Sequence, residues 1–165
     1  MNDTLYIVLF VIMFILGILT FSILLLFIIR LVFWLTKRKT FPRKSLTCLL
    51  MSIIIFLFIF YNHYYNLNYL PNGELNATID SPDGKNRIET YHFSKIYGEN
   101  AKAVLVNNDS GDRKTIYFNW YDFDPKVVWE SNEEVKIGRE TLNIYTDHYD
   151  YRHDENLRLM PPQRN

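Results

Sequence analysis

The sequence contains a single cysteine, Cys48, which excludes an intrachain disulfide framework. Its 165 residues leave room for one modest globular domain beside a membrane anchor, so a multidomain enzyme is also excluded. Charged residues are absent from the 25 residues 5–29, and acidic residues are nearly absent from the first 65. The overall balance of 18 basic and 18 acidic residues therefore conceals two halves of different character.

The first half is basic and the second half is acidic. Residues 1–65 carry six basic side chains and one acid, Asp3, whereas the remaining 100 residues carry 12 basic and 17 acidic side chains. Nucleic-acid-binding domains usually present a basic patch or stripe, and the acidic half has none. We therefore expect no nucleic-acid partner.

Two apolar segments predict a hairpin of two transmembrane helices, which would make this an integral membrane protein. The first span covers about residues 5–35 and the second about 45–65, joined by a basic turn at 36–44. The strictly apolar part of the second span has only 16 residues, 46–61, so one span plus an interfacial helix is an alternative. A cleaved signal peptide is disfavoured because a basic n-region and a small-residue cleavage site are missing.

The basic turn also predicts the orientation of the hairpin. Short loops rich in Lys and Arg are retained on the cytoplasmic side of a membrane. We therefore expect a multi-pass protein of the cell membrane, with the turn in the cytoplasm and both the N-terminus and the C-terminus extracytoplasmic.

Residues 66–165 have the pattern of a small, mostly antiparallel β domain that ends in a polar C-terminal tail. Short β-branched and aromatic segments alternate with turn residues, and Ser81-Pro82-Asp83-Gly84 is the clearest turn. The predicted strands are 75–80 with 85–93, 101–107 with 113–121, 126–130 with 135–137, and a last strand at 142–145. A β-propeller also uses Ser-Pro-Asp-Gly-Lys, but this domain is too short for several blades and has one copy of the motif.

The strand 113–121 is aromatic on both of its predicted faces. Strict alternation places Ile116, Phe118 and Trp120 on one face and Tyr117, Asn119 and Tyr121 on the other. In the next hairpin, we expect Trp129 to lie opposite Val135 or Ile137 and to close the core.

Several of these segments resemble an uncharacterised family of small two-helix membrane proteins from low-GC Gram-positive bacteria, a domain of unknown function. The resemblance covers roughly residues 81–152. It is carried by Ser81-Pro82-Asp83-Gly84-Lys85, Ile116-Tyr117-Phe118-Asn119-Trp120, Val127-Val128-Trp129-Glu130, Val135-Lys136-Ile137 and Tyr149-Asp150-Tyr151-Arg152. The family implies an anchored extracytoplasmic domain and supplies no activity.

A cluster of aromatic and acidic residues is the best candidate for a binding surface. Flat aromatic rings flanked by hydrogen-bonding groups suit contact with glycan rings or a protein partner, although core packing is the alternative for such rings. The candidate residues are Trp120, Tyr121, Asp122, Asp124, Trp129, His148, Asp150 and Arg152.

Catalytic and metal-binding patterns are weak. His148 and His153 could approach one ion together with neighbouring carboxylates, but no His-Glu-x-x-His, paired-Cys or calcium-loop pattern is present. No serine lies in a nucleophile elbow. We therefore expect no enzyme activity, no metal and no cofactor, and a metal-dependent envelope enzyme is a remote alternative.

Taken together, these patterns favour a membrane-anchored extracytoplasmic β module that binds a protein, a peptide or a cell-envelope polymer. The alternative from a different class is an immunity or accessory membrane protein that acts through its helices. The pattern predicts neither the oligomeric state nor the order of the strands.

Overall fold

The structure is a computed structural model that describes residues 2–37, 40–93, 100–120 and 122–154. The chain divides into two compact units, Met1–Leu70 and Pro71–Asn165. The first unit, called the helical unit below, is a helical hairpin. The second, called the β unit, is mostly antiparallel sheet.

Two long helices form the helical unit, as expected. Helix α1 spans Asp3–Lys37 and helix α2 spans Arg43–Tyr65, and a short 3-10 helix, Leu67–Tyr69, follows. Helix α2 has 23 residues, which at about 1.5 Å per residue exceeds the roughly 30 Å thickness of a bilayer core. Both helices are long and apolar enough to cross a membrane.

The helices pack as an antiparallel pair. At one end the ring of His63 stacks on Tyr6 with a centroid separation of 4.4 Å, and at the other Arg30 Nη1 donates to Ser45 Oγ at 2.5 Å. The buried positions of α2 recur at helical spacing along one stripe: Ser45, Leu49, Ser52 and His63. Most other apolar side chains of both helices are exposed.

Within its described residues, the β unit contains eight strands in two sheets. Strands β1 (Glu74–Asp80), β2 (Asn86–Phe93), β3 (Asn100–Asn107), β4 (Arg113–Asn119) and β8 (Tyr149–Asp150) form a sheet in that order. Strands β5 (Val127–Trp129), β6 (Glu134–Ile137) and β7 (Glu140–Asn143) form the second sheet. All pairs are antiparallel except β4 with β8, which is parallel.

The predicted hairpins are present, and local turn chemistry explains the clearest of them. Gly84 N donates to Ser81 O at 2.9 Å, and Gly84 has φ of +70°, a backbone conformation that glycine adopts at little cost. Trp129 pairs with Val135, as expected for the third hairpin.

The two sheets share one core. Its fully buried members come from β2, β3, β4 and β6 and from the segment after β7: Ile88, Ala103, Ile116, Tyr117, Val135, Ile137 and Ile144. Strict alternation places Ile116 and Tyr117 on opposite faces, but both join this core. The register between β3 and β4 shifts at Ala103/Val104, which inserts Ile116 as an extra residue. The prediction of simple alternation is therefore wrong at Ile116.

The strand predicted at 142–145 is present as β7 with shifted bounds, and it is not the last strand. Strand β7 ends at Asn143, because the side chain of Asn143 accepts hydrogen bonds from the backbone of Tyr145 and Thr146 and turns the chain. The last strand is instead β8, Tyr149–Asp150, which returns beside β4.

Candidate functional site

The best candidate site lies where β4 ends beside β8. The parallel pairing sets Phe118 opposite Asp150, and the 3-10 helix Tyr151–His153 continues directly from β8. We call the five residues gathered here the Trp120 patch: Phe118, Trp120, Asp150, Tyr151 and Arg152.

An ion pair forms the base of the Trp120 patch. Arg152 Nε donates to both carboxylate oxygens of Asp150, at 2.8 and 3.0 Å, and Arg152 Nη2 donates to Oδ2 at 2.5 Å. The backbone N–H of Arg152 also donates to Asp150 Oδ1 at 3.1 Å. The side chains of Asp150 and Arg152 retain 4% and 11% of their exposure. A forked guanidinium–carboxylate pair of this kind fixes both groups in one geometry.

Aromatic rings build outward from this ion pair. The Arg152 guanidinium lies over the Phe118 ring at 5.2 Å, and Phe118 contacts the Tyr151 ring at a centroid separation of 5.1 Å. Tyr151 in turn meets the Trp120 indole edge to face at 5.7 Å and 90°. Trp120 nevertheless stays 47% exposed. The indole of Trp120 therefore packs on Tyr151 and is open to solvent. This arrangement suits stacking on a flat or apolar ligand.

A buried polar network holds the chain behind the Trp120 patch. Tyr117 OH donates to Asp122 Oδ2 at 3.2 Å, and Asn119 Nδ2 donates to Tyr117 OH at 2.9 Å. Burial raises the pKa of Asp122, and the hydrogen bond from Tyr117 opposes that rise. Burial likewise raises the pKa of Tyr117 well above its usual range. Asp122 therefore acts as a support inside the β unit rather than as a surface acceptor.

The remaining candidate residues lie elsewhere or outside the described residues. Trp129 is half-buried against the core and its Nε1 donates to Ile79 O at 3.3 Å. Asp124 is exposed and accepts from Asn76 Nδ2, and His148 is exposed on the segment before β8. Tyr121 lies outside the described residues. Of the eight candidates, the structure brings together Trp120, Asp150 and Arg152.

Phe118 and Tyr151 were missed as site residues. Both belong to segments that carry the family resemblance, and Tyr151 falls two positions after Tyr149 in an alternating aromatic run. That run would not have identified them, because alternation in a short strand places Tyr149 and Tyr151 on one side. In the structure Tyr149 stacks on Tyr117, whereas Tyr151 packs on Phe118, the next residue along β4.

The His-rich segment does not form a cluster of ligands. Within residues 2–37, 40–93, 100–120 and 122–154, no three His, Cys, Asp or Glu side chains come close enough to hold a metal ion. His153 Nε2 lies 3.8 Å from Asp150 Oδ2, whereas His148 is exposed.

A second buried carboxylate, Glu89 on β2, has a structural environment. Its oxygens accept from Arg87 Nε at 2.9 Å, Arg113 Nη2 at 2.5 Å and Tyr91 OH at 2.6 Å. Burial raises the pKa of Glu89, but these hydrogen bonds outweigh that effect and lower it to about 2. This network ties β2 to β4 across the five-stranded sheet.

Comparison with known proteins identifies the family. The model of DUF5412, described as a family of unknown function, matches residues 39–154, which is more than half of the chain. The chain therefore belongs to this family, and the matched range includes helix α2, strands β1 to β8 and the Trp120 patch. No curated protein and no solved structure matches the chain.

Proposed function

We propose that this member of DUF5412 is an integral membrane protein whose β unit recognises a protein, a peptide or a cell-envelope polymer outside the cell. In this proposal the helices anchor the chain, the turn at 36–44 is cytoplasmic, and both termini are extracytoplasmic. The β unit is a non-enzymatic binding module, and the Trp120 patch is its contact surface.

Membrane insertion is supported by the surface of the helical unit. Apolar side chains such as Ile18, Phe58 and Leu35 are exposed along both helices, although water would strongly disfavour that arrangement. Five of the six basic residues of this unit lie at positions 37–44, between the two apolar segments, where the headgroups of a bilayer would lie.

The observation that carries the binding role is the exposed indole of Trp120 on a rigid base. Tryptophan and arginine are enriched among the residues that dominate binding energies at interfaces. Tyr151 contacts the indole directly, and Phe118 and the Asp150–Arg152 pair in turn support Tyr151. A ligand would therefore bind with little additional ordering of side chains.

Crosslinking in intact cells tests the binding role. The full-length protein is crosslinked, purified and analysed by mass spectrometry as wild type, as Trp120→Ala and as Tyr145→Ala. Tyr145 is a matched control because it is aromatic and 63% exposed but lies outside the Trp120 patch. We expect wild type and Tyr145→Ala to recover the same recurrent envelope component in equal amounts. Trp120→Ala should recover at least about tenfold less of that component. Equal recovery from all three forms contradicts the proposal.

Cysteine labelling in intact cells tests the orientation. Starting from Cys48→Ala, single cysteines are introduced at Thr40 in the turn or at Ser110 in the exposed turn between β3 and β4. A membrane-impermeant maleimide should label Ser110→Cys and spare Thr40→Cys until the cells are opened. The reverse pattern would invert the proposed topology.

An immunity or accessory role carried by the helices is a second candidate. It is favoured by the family match, which begins before α2 and thus includes one of the two helices. Replacing both helices with an unrelated hairpin separates the candidates. Retained partner recovery supports recognition by the β unit, whereas its loss with a folded β unit supports a role for the helices.

A further inference from the structure

A cavity of about 520 Å³ opens at the end of the helical hairpin where α1 leads into α2. Its lining comes from the last two turns of α1, from residues 40–42 and from the first turn of α2. The side chains that matter for its chemistry are Arg30, Phe33, Phe41, Arg43, Lys44 and Ser45. Its volume falls within the range of small-molecule sites, about 300–1,000 Å³.

Three cations line this cavity without a carboxylate to neutralise them. Among the described residues, no ion pair involves Arg30, Arg43 or Lys44. The sequence explains this, because Asp3 is the one acidic residue before Glu74. Asp3 begins α1, 27 positions from Arg30, which corresponds to roughly 40 Å along a helix. The concentrated positive charge therefore favours an anionic ligand.

The local backbone adds to this preference. Arg30 Nη1 donates to Ser45 Oγ at 2.5 Å, which fixes the guanidinium at the start of α2. Helix α2 begins after Pro42 with no side-chain cap, so its N-terminal dipole adds partial positive charge to that of Arg43 and Lys44. A phosphate group, with several acceptor oxygens, matches such a set of donors.

The other wall of the cavity is apolar. Phe33 and Phe41 line it, and Phe41 is braced by Trp34 at a ring separation of 5.2 Å and nearly perpendicular planes. A ligand that combines a phosphate with apolar carbon fits this wall better than a free phosphate ion does. Anionic phospholipids have that combination, and basic pockets between membrane helices are known to hold their headgroups.

We propose that this cavity binds the phosphate-containing headgroup of an anionic membrane lipid, with Arg30, Arg43 and Lys44 contacting the phosphate. The inference rests on the proposed insertion of the helices in a bilayer and does not depend on the binding role of the β unit. A lipid held at the turn would tie the orientation of the hairpin to the composition of the surrounding leaflet.

Native mass spectrometry of the full-length protein in detergent tests this site. Phosphatidylglycerol, phosphatidylcholine and soluble glycerol phosphate are offered in separate titrations. We expect one phosphatidylglycerol per chain at low concentration, with at least about tenfold weaker binding of zwitterionic phosphatidylcholine. Equal binding of phosphatidylglycerol and phosphatidylcholine would overturn the proposal. If an equal concentration of glycerol phosphate displaces the lipid, the ligand is a soluble phosphate compound, and the assignment of a membrane lipid is overturned.

A matched pair of variants places the binding in the cavity. Arg43→Gln/Lys44→Gln removes two lining cations, whereas Lys37→Gln removes one cation that is near the same end of the hairpin but does not line the cavity. We expect roughly fivefold weaker binding per lining charge removed and therefore about 25-fold for the double variant. Lys37→Gln should bind as wild type does.

If Lys37→Gln weakens lipid binding as much per charge removed as Arg43→Gln/Lys44→Gln does, the lipid is attracted to the basic turn in general. That result would overturn the proposed site. Helix content measured by circular dichroism confirms that each variant is folded. Because the assay contains no envelope partner, its failure leaves the Trp120→Ala crosslinking result untouched. Failure of membrane insertion would instead appear in the cysteine-labelling pattern.

Discussion

The two units of this protein differ in how far their apolar side chains are buried. In the helical unit, Ile54 is 63% exposed, and most of its apolar neighbours on α2 face outward with it. In the β unit, Ile116 and Ile137 have no exposed surface at all. The β unit buries its own apolar core, whereas the helical unit leaves apolar surface exposed that the bilayer proposed above would cover.

Polar side chains differ between the units in the same way. In the helices, several hydroxyl groups donate to the backbone of their own helix, as Ser22 Oγ does to Ile18 O at 2.9 Å and Thr36 Oγ1 to Val32 O at 2.8 Å. In the β unit, side chains bond across strands, as Arg113 does to Glu89. These hydroxyl groups of the helices are thus paired within their own helix. In the β unit, polar side chains instead link different strands.

Matched isoleucine truncations give the largest expected effect on this comparison. Ile116→Ala leaves a cavity in a fully buried core and should cost about 3 kcal/mol of unfolding free energy, which lowers the Tm of the β unit by more than about 10 °C. Ile54→Ala removes the same atoms from a side chain that faces outward. In detergent, the unfolding free energy of this variant should stay within about 0.5 kcal/mol of that of wild type.

Thermal unfolding followed by near-ultraviolet circular dichroism compares the two variants. A large loss from Ile54→Ala would mean that its side chain is buried in the protein, for example between copies of the chain. The outward face of α2 would then be a protein interface rather than a lipid contact.

Breaking the ion pair of the Trp120 patch should have the next largest effect. Asp150→Ala removes the carboxylate that pairs with the nearly buried Arg152 guanidinium and should cost about 2 to 3 kcal/mol in chemical denaturation of the full-length protein. Asp150→Ala/Arg152→Met removes both charges and should recover part of that loss. If the double variant is as unstable as the single one, the ion pair is not what holds β8 against β4.

The local parts of this fold could be predicted from the sequence, and the non-local parts could not. Hairpins such as 75–80 with 85–93 depend on turn residues between adjacent segments, and the structure has them as β1 and β2. The parallel return of Tyr149–Asp150 to β4 joins segments about 30 residues apart, and two residues are too few to show a pattern. The bulge at Ile116 likewise depends on its partner strand, which alternation within β4 does not reveal.

The candidate site was predictable to the same extent. Composition singled out Trp120, Asp150 and Arg152, but it could not distinguish Asp150 from Asp122. Both carboxylates are buried, and they differ in their partners, which are Arg152 for Asp150 and Tyr117 for Asp122. The distinction depends on Tyr117, whose hydroxyl holds Asp122 inside the β unit. No local pattern encodes that contact.

The Glu89 network predicts a pH dependence that belongs to the β unit alone. The pKa of Glu89 in the folded protein is about 2, below its ordinary value of 4.5. The stabilisation is therefore complete above pH 4.5 and is lost as the pH falls toward 2. Glu89→Gln should cost about 1 to 2 kcal/mol at pH 7, since water screens part of the interaction, and this difference from wild type should shrink in acid.

Melting curves at several pH values between 7 and 2 measure that difference. Glu133→Gln is the control, because Glu133 is an exposed glutamate in the turn between β5 and β6. A constant gap between wild type and Glu89→Gln across this range would contradict the proposed role of the network. The helices should keep their circular dichroism throughout, since Asp3 is the one carboxylate side chain in the helical unit.

Glycine replacements give the smallest effects, with opposite signs in the two units. Gly84→Ala forces a Cβ into a turn with φ of +70°, where no neighbouring atom lies within 4 Å, so the cost of about 1 kcal/mol is purely conformational. Gly17→Ala places a Cβ in ordinary contact with Phe56 Cε2 at 3.4 Å and gives α1 a better helix former. It should be neutral or stabilise the helical unit by up to about 1 kcal/mol during unfolding in SDS. A clear loss of stability from Gly17→Ala would show that α1 and α2 pack as tightly as the β core, which would remove the contrast between the units.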